Sequence, residues 1–158
     1  MFGAAQGVVN EKSTPTPEGI SGQQLLDAEK SIKNAANPAT IVRLGGLVGG
    51  DRHPAKQLAG KINIPAPQAP TNLVHRKDVV RFLMAIIEEG HWGKTLHCVS
   101  PNHQSRIDFY TEASKRLNLP LPSFAKTASK RNKKVMDSRS AALFDFSYRL
   151  ADCGVEGS

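Results

Sequence analysis

The chain has 158 residues, of which 39% are hydrophobic and 22% charged, and its formal net charge is +7. These values are typical of a single globular domain with a core of its own, and they exclude a disordered chain. No apolar run is long enough for a membrane span, and residues 1–12 lack the basic start and apolar core of a signal peptide. We therefore expect a cytoplasmic protein with no membrane partner.

The first predicted element after an irregular lead-in is an amphipathic helix. Residues 1–20 are rich in Gly, Pro, Ser and Thr and predict the lead-in. A helix is predicted from about Gly22 to Ala36, because Ser21 is a favourable N-cap and Gln24 completes a capping box. Apolar residues recur at helical spacing through this segment, and an Asn-Pro pair ends it.

A strand and a glycine-rich turn follow in TIVRLGGLVGGDRHP, residues 40–54. The β-branched, apolar run predicts a buried strand. The four glycines of the turn match neither GxGxxG nor a Walker loop, since Asp51 stands where a phosphate-binding lysine is needed. The glycines are therefore predicted to serve backbone geometry and not pyrophosphate binding.

The rest of the chain continues to alternate helix and strand. A short helix is predicted near residues 54–61, a longer helix capped by Asp78, a strand in KTLHCVS, and a helix opened by Ser105. Alternation of this kind predicts an α/β fold with parallel strands.

Self-contained catalytic and metal-binding motifs are absent from the sequence. The five histidines have no paired carboxylate nearby, and Cys98 and Cys153 lack the spacing of zinc ligands or of a disulfide framework. We expect two free thiols and no metal site.

Residues 126–139 form a basic stretch with six Lys or Arg residues and one acidic residue. Such a segment can bind an anionic partner, but it contains no aromatic residue and no nucleic-acid motif. It is predicted to be a solvated basic loop, and nucleic acid is not the expected partner.

Six segments, in chain order, resemble the second half of an extended (atypical) short-chain dehydrogenase/reductase of the NAD-dependent epimerase/dehydratase family. The segments are VNEKSTPTP, LLDAEKSI, ATIVRLGGLVGGDRHP, NLVHRKDVVRFLMAII, KTLHCVS and SRIDFYTEASKRLNLPLP. The resemblance runs from Phe2 to about Tyr148. It implies a partial Rossmann-like α/β fold, made of the late strands and helices, with a small substrate-binding lobe.

The resemblance also implies candidate binding residues. It places the glycine-rich turn at the wall of the substrate and nicotinamide cleft, where Arg52, His53 and Lys56 would bind an anionic or sugar-like substrate. Asn72 and His75 match a family segment at a strand-to-helix turn beside the same cleft. The alternative for Asn72 and His75 is a structural role, in which their hydrogen bonds hold the turn.

Two departures from the family concern cofactor and catalysis. The sequence contains no GxGxxG, and Ser21 and Leu25 occupy the positions of the family's Tyr and Lys. A leucine cannot lower the pKa of a neighbouring proton donor. The intact family uses NAD(P), whereas we expect this chain alone to bind no cofactor and to lack catalytic activity.

Three functions remain open on this basis. The first is a truncated substrate-binding portion of an epimerase or dehydratase, with a nucleotide sugar or a small carbonyl compound as ligand. The second is one half of a two-chain NAD(P)-dependent sugar epimerase or reductase, and the third is a basic nucleic-acid-binding module. Because the strand TIVRL would have an open apolar edge, we expect a homo-oligomer or a partner chain.

Overall fold

The computed structural model describes residues 2–3, 6–35, 37–50, 53–126 and 132–149. Its elements are, in chain order, β1 (Val8–Val9), α1 (Gly19–Lys33), β2 (Ile41–Leu44), β3 (Gly46–Val48), α2 (Ala55–Leu58), β4 (Leu73–His75), α3 (Arg76–Glu88), β5 (Thr95–Cys98), α4 (Arg106–Arg116), β6 (Lys134–Val135) and α5 (Ser138–Leu143).

The strands form three parallel pairs, which join β2 to β5, β3 to β4 and β1 to β6. In the longest pair Ile41 lies opposite Thr95 and Leu44 opposite Cys98. Parallel pairing requires a crossover between partner strands, and helices supply most of these crossovers. The predicted α/β fold with parallel strands is confirmed.

The main core lies between β5 and α3. All four residues of β5 are buried, and α3 turns Phe82 toward an aromatic segment near the end of the described chain. The rings of Phe144 and Phe146 lie 5.1 and 5.2 Å from the ring of Phe82. A smaller core forms around Val48 and Phe109, where α4 packs beside α2.

Tyr148 fixes the aromatic segment to the end of β5. Its hydroxyl accepts a hydrogen bond from the Val99 amide at 3.1 Å and donates one to Asp137 at 2.9 Å. Cys98, beneath this contact, is a free and fully buried thiol whose pKa is raised to about 12 by burial. The free thiol predicted at Cys98 is confirmed, while Cys153 lies outside the part of the chain that the structure describes.

Two predicted helix starts are wrong. Helix α1 begins at Gly19 with Glu18 as its N-cap, so the predicted cap, Ser21, lies inside the helix. Helix α3 is capped by His75 and not by Asp78, because β4 runs directly into the helix and leaves His75 with an extended backbone. The His75 Nδ1 accepts a hydrogen bond from the Lys77 amide at 3.2 Å, while Asp78 is buried in the first turn.

The predicted burial of β2 is also wrong. Ile41, Val42 and Arg43 are half-buried and Leu44 is exposed. The reason is that β5 is the only strand paired with β2 among the described residues, so the opposite edge has no cover there.

The ends of the described chain contain more regular structure than predicted. The lead-in contributes β1, and a parallel bridge joins Phe2 to Thr16. The basic stretch 126–139 contains β6 and the start of α5, and its residues 127–131 lie outside the described part.

Candidate functional site

A groove of about 780 Å³ runs between α1 and the uncovered edge of β2. Apolar side chains of α1 and every residue of β2 line it, and the turn after β2 closes one end. Its lining residues are Phe2, Leu25, Ala28, Glu29, Ile32, Thr40, Ile41, Val42, Arg43, Leu44, Gly45, Gly46, Asn72, His97, Lys133 and Val135.

The backbone of β2 directs hydrogen-bonding groups into this groove that no other described strand pairs with. The amides of Ile41 and Gly45 donate to the carbonyls of Lys94 and Cys98 at 2.8 and 2.9 Å, which fixes the edge that faces β5. Because successive residues of a strand direct their backbone groups to opposite edges, Val42 and Leu44 direct theirs away from β5. The groove therefore has a strand edge that can accept a further strand.

An ion pair crosses the groove from α1 to β2. The Arg43 guanidinium donates to both carboxylate oxygens of Glu29, with Nε–Oε1 at 3.0 Å and Nη2–Oε2 at 2.8 Å. The side chains are only 13% and 11% exposed, and the guanidinium lies 5.4 Å from the Phe2 ring centroid. The pair anchors α1 over an otherwise apolar strand.

His97 is the buried titratable side chain beneath the groove. Its Nδ1 lies 2.9 Å from the Met136 carbonyl oxygen, so Nδ1 carries the proton and Nε2 is an acceptor in the neutral ring. No described residue hydrogen-bonds to this Nε2. Burial lowers the pKa of His97, and the Met136 carbonyl and Glu11 oppose the shift.

The depressed pKa of His97 predicts a pH-dependent stability. The unfolded chain binds a proton at a higher pH than the folded one, so stability is complete above about pH 6.5 and falls as the pH is lowered further. We expect the melting temperature to fall between pH 7.5 and 5.5, and to fall less in His97→Asn, whose amide can still donate to Met136.

His103 supplies the comparison, because burial lowers its pKa as well and its Nδ1 contacts the Thr71 carbonyl oxygen at 3.0 Å. His103→Asn should reduce the change of melting temperature with pH only by the part that His103 contributes. A pH profile of His97→Asn parallel to that of the unmodified chain would contradict the role given to His97.

The structure separates the predicted site residues of the glycine-rich turn from the groove. His53 is 8% exposed, stacks on Phe109 with ring centroids 5.9 Å apart, and accepts a hydrogen bond from the Ala55 amide at the first residue of α2. Lys56 is exposed on α2. Arg52 lies outside the described residues, and neither His53 nor Lys56 lines the groove.

Of the remaining predicted residues, Leu25 and Asn72 line the groove and Ser21 and His75 do not. The Asn72 side chain donates to the Lys133 carbonyl at 3.0 Å and accepts from the Val135 amide at 2.7 Å, so it holds β6 in place. His75 is 1% exposed and caps α3. These hydrogen bonds are of the structural kind weighed as the alternative for Asn72 and His75.

The glycines of the turn pack against the chain itself. A Cβ on Gly45 or Gly46 would meet Asn72 or Leu73, and one on Gly49 would lie 2.5 Å from the His75 Nε2. The space beside Gly50 is filled by the Arg76 guanidinium. These close contacts, together with the positive φ of Gly49 and Gly50, support the interpretation that the glycines serve backbone geometry.

The sequence analysis did not predict the charged and titratable residues of the groove, which are Glu29, Arg43, His97 and Lys133. A single arginine in a β-branched strand and a glutamate on the apolar side of a helix are the signal that points to the first two. The chemistry of the groove is that of a binding surface, with two cations, one paired carboxylate and a neutral histidine.

Within the described ranges no cluster of His, Cys, Asp or Glu can hold a metal ion, and no helix is long and apolar enough to cross a membrane.

No family model matches the chain. It is 32% identical over 154 residues to protein YeeZ of Escherichia coli K12, an alignment that covers 96% of this chain and 56% of YeeZ. The chain thus spans about half the length of the curated relatives that it matches.

Solved structures share the fold. A UDP-glucuronic acid 4-epimerase from Bacillus cereus, in complex with NAD, matches with a TM-score of 0.78 and 17% identity over 97% of this chain and 55% of the epimerase. A dTDP-4-dehydrorhamnose reductase from Clostridium acetobutylicum matches with a TM-score of 0.76 and 18% identity over 96% of this chain and 59% of the reductase. This chain therefore has the Rossmann-like α/β fold that such epimerase and reductase structures contain.

Proposed function

We propose that this chain is the substrate-binding portion of a protein related to NAD(P)-dependent epimerases and reductases, and that it is inactive alone. The groove at the uncovered edge of β2 carries the proposal. Leu25 faces it from the position of the family's lysine, and Gly45 and Gly46 of the glycine-rich turn also line it. The matched epimerase and reductase structures, each covered for little more than half its length, support the general kind of protein.

The proposed ligand is a nucleotide sugar or a small carbonyl compound. The matched structures are, by name, a UDP-glucuronic acid epimerase and a dTDP-dehydrorhamnose reductase. Arg52 and Lys56 would supply positive charge for the diphosphate, with Asn72, His53 and His75 as the supporting residues. Since His53 and His75 are buried, their contribution would be to hold the turn in place.

The proposed partner is a second polypeptide that pairs with β2 and supplies the GxGxxG loop. The backbone groups of Val42 and Leu44 and the exposed apolar side chain of Leu25 are the surface it would cover. With that partner the cofactor site would be complete, whereas Ser21 and Leu25 would still preclude the family's usual proton relay.

Isothermal titration of the purified chain with NAD⁺, NADPH and UDP-glucuronic acid tests the proposal. We expect heat of binding with the nucleotide sugar and none with either cofactor. Lys56→Ala should weaken the sugar-nucleotide binding, and Lys30→Ala, which removes an exposed lysine from α1, is the matched control that should not. Micromolar binding of NAD⁺ or NADPH, or no binding of any nucleotide sugar, would overturn it.

A further inference from the structure

Helix α3 presents an apolar stripe to solvent on the side opposite the main core. Val79, Phe82 and Ile86 are buried against the core. The stripe consists of Val80, Leu83, Met84 and Ile87, which are 60%, 41%, 48% and 56% exposed. A contiguous stripe of this kind, unlike isolated surface apolar residues, marks an interaction surface.

The stripe has the same spacing when it is read from either end of the helix. Its four residues are arranged symmetrically about the midpoint between Leu83 and Met84. A surface with this symmetry can meet an identical surface about a twofold axis, which gives each copy the same contacts.

The charges beside the stripe select an antiparallel arrangement. Lys77 lies near the start of α3 and Glu88 at its end. The two residues are separated by about three helical turns, so they lie on the same flank of the stripe. In an antiparallel pair each Lys77 would lie beside the Glu88 of the other copy, whereas a parallel twofold pair would put the charged flanks of the two copies on opposite sides of the interface, where they could not pair.

We propose that the α3 stripe is a homodimer surface, on which two copies of this chain pack their α3 helices antiparallel. The occupant is a second copy because both the apolar pattern and the charge pattern are self-complementary. None of the four stripe residues lines the groove at β2, so the dimer does not depend on the proposed function. Four side chains from each copy make a small interface, and the dimer is therefore expected to dissociate at micromolar concentrations.

Sedimentation equilibrium over a micromolar concentration series tests the dimer. Lys77→Glu and Glu88→Lys each place like charges across the twofold axis, and each is expected to weaken dimerisation about three- to tenfold. The double variant Lys77→Glu/Glu88→Lys restores opposite charges and should restore dimerisation. Glu112→Lys, on the exposed surface of α4, is the control that should leave it unchanged.

A second variant tests the apolar centre. Met84→Lys places two lysines near the midpoint and should abolish the dimer, while a melting curve checks that the exposed substitution leaves the fold intact. A chain that is monomeric at every concentration would overturn the proposal. So would a dimer that is insensitive to Met84→Lys but lost on Leu25→Glu, because that dimer would use the groove.

Discussion

Replacing Glu29 with alanine should lower the free energy of unfolding by about 3 kcal/mol. The substitution removes the carboxylate that accepts two hydrogen bonds from Arg43, and the guanidinium then remains largely buried between α1, β2 and the Phe2 ring without the anion that pairs with it. An uncompensated charge in such a position costs more than the net gain from the pair itself. Urea denaturation followed by circular dichroism measures the change.

The same helix offers a matched control. Asp27 pairs with Lys30 at 3.4 Å, but these side chains are 58% and 61% exposed. Because solvent screens an exposed pair, Asp27→Ala should change the stability by less than about 0.5 kcal/mol. The double variant Glu29→Ala/Arg43→Met should recover much of the loss, since it removes both charges. Equal losses from Glu29→Ala and Asp27→Ala would show that the groove pair is not buried in solution.

Gly49→Ala should destabilise the chain by about 2–4 kcal/mol. Gly49 has φ +118°, a conformation that side chains of L-residues rarely adopt, and its missing Cβ would lie 2.5 Å from the His75 Nε2. The His75 ring is buried and caps α3, so it cannot move aside without losing its hydrogen bond from the Lys77 amide. Thermal and urea denaturation measure the effect.

Gly19 separates the two causes of this loss. It also has a positive φ, +72°, but a Cβ there would meet no atom within 4 Å. Gly19→Ala should therefore cost only the conformational part, about 1–2 kcal/mol. If Gly49→Ala costs no more than Gly19→Ala, the contact between Gly49 and His75 does not constrain the turn.

The parts of the fold that local pattern encodes could be predicted from the sequence. The β-branched run at β2, the wide apolar face of α3 and the Ser105 cap of α4 each depend on neighbouring residues, and the structure contains all three elements. The burial of β2 depends on whether another strand covers its second edge. The start of α3 depends on where β4 ends. Both are tertiary features, and the spacing of apolar residues in the sequence does not predict them.

The groove could not be predicted in the same way. Its lining comes from well-separated parts of the chain, from Phe2 through α1 and β2 to Lys133 and Val135. Family resemblance had pointed only to Leu25, Asn72 and the glycine-rich turn, of which Gly45 and Gly46 line the groove. The pairing of Glu29 with Arg43 had a visible signal in each segment, but nothing in the sequence joined the two signals.

The β1–β6 pair has a consequence for the order of folding. It joins Val8 to Lys134 and Val9 to Val135, and the Asn72 side chain holds the same β6 backbone from the middle of the chain. Closing so long a loop costs entropy that only the intervening contacts can offset, so this pair is expected to form after the β2–β5 core. Among the described elements β1 comes first in chain order and β6 comes after α4, so during synthesis β1 leaves the ribosome well before its partner. The two residues of β1 thus wait for most of the described chain to be made before they can find their native neighbours.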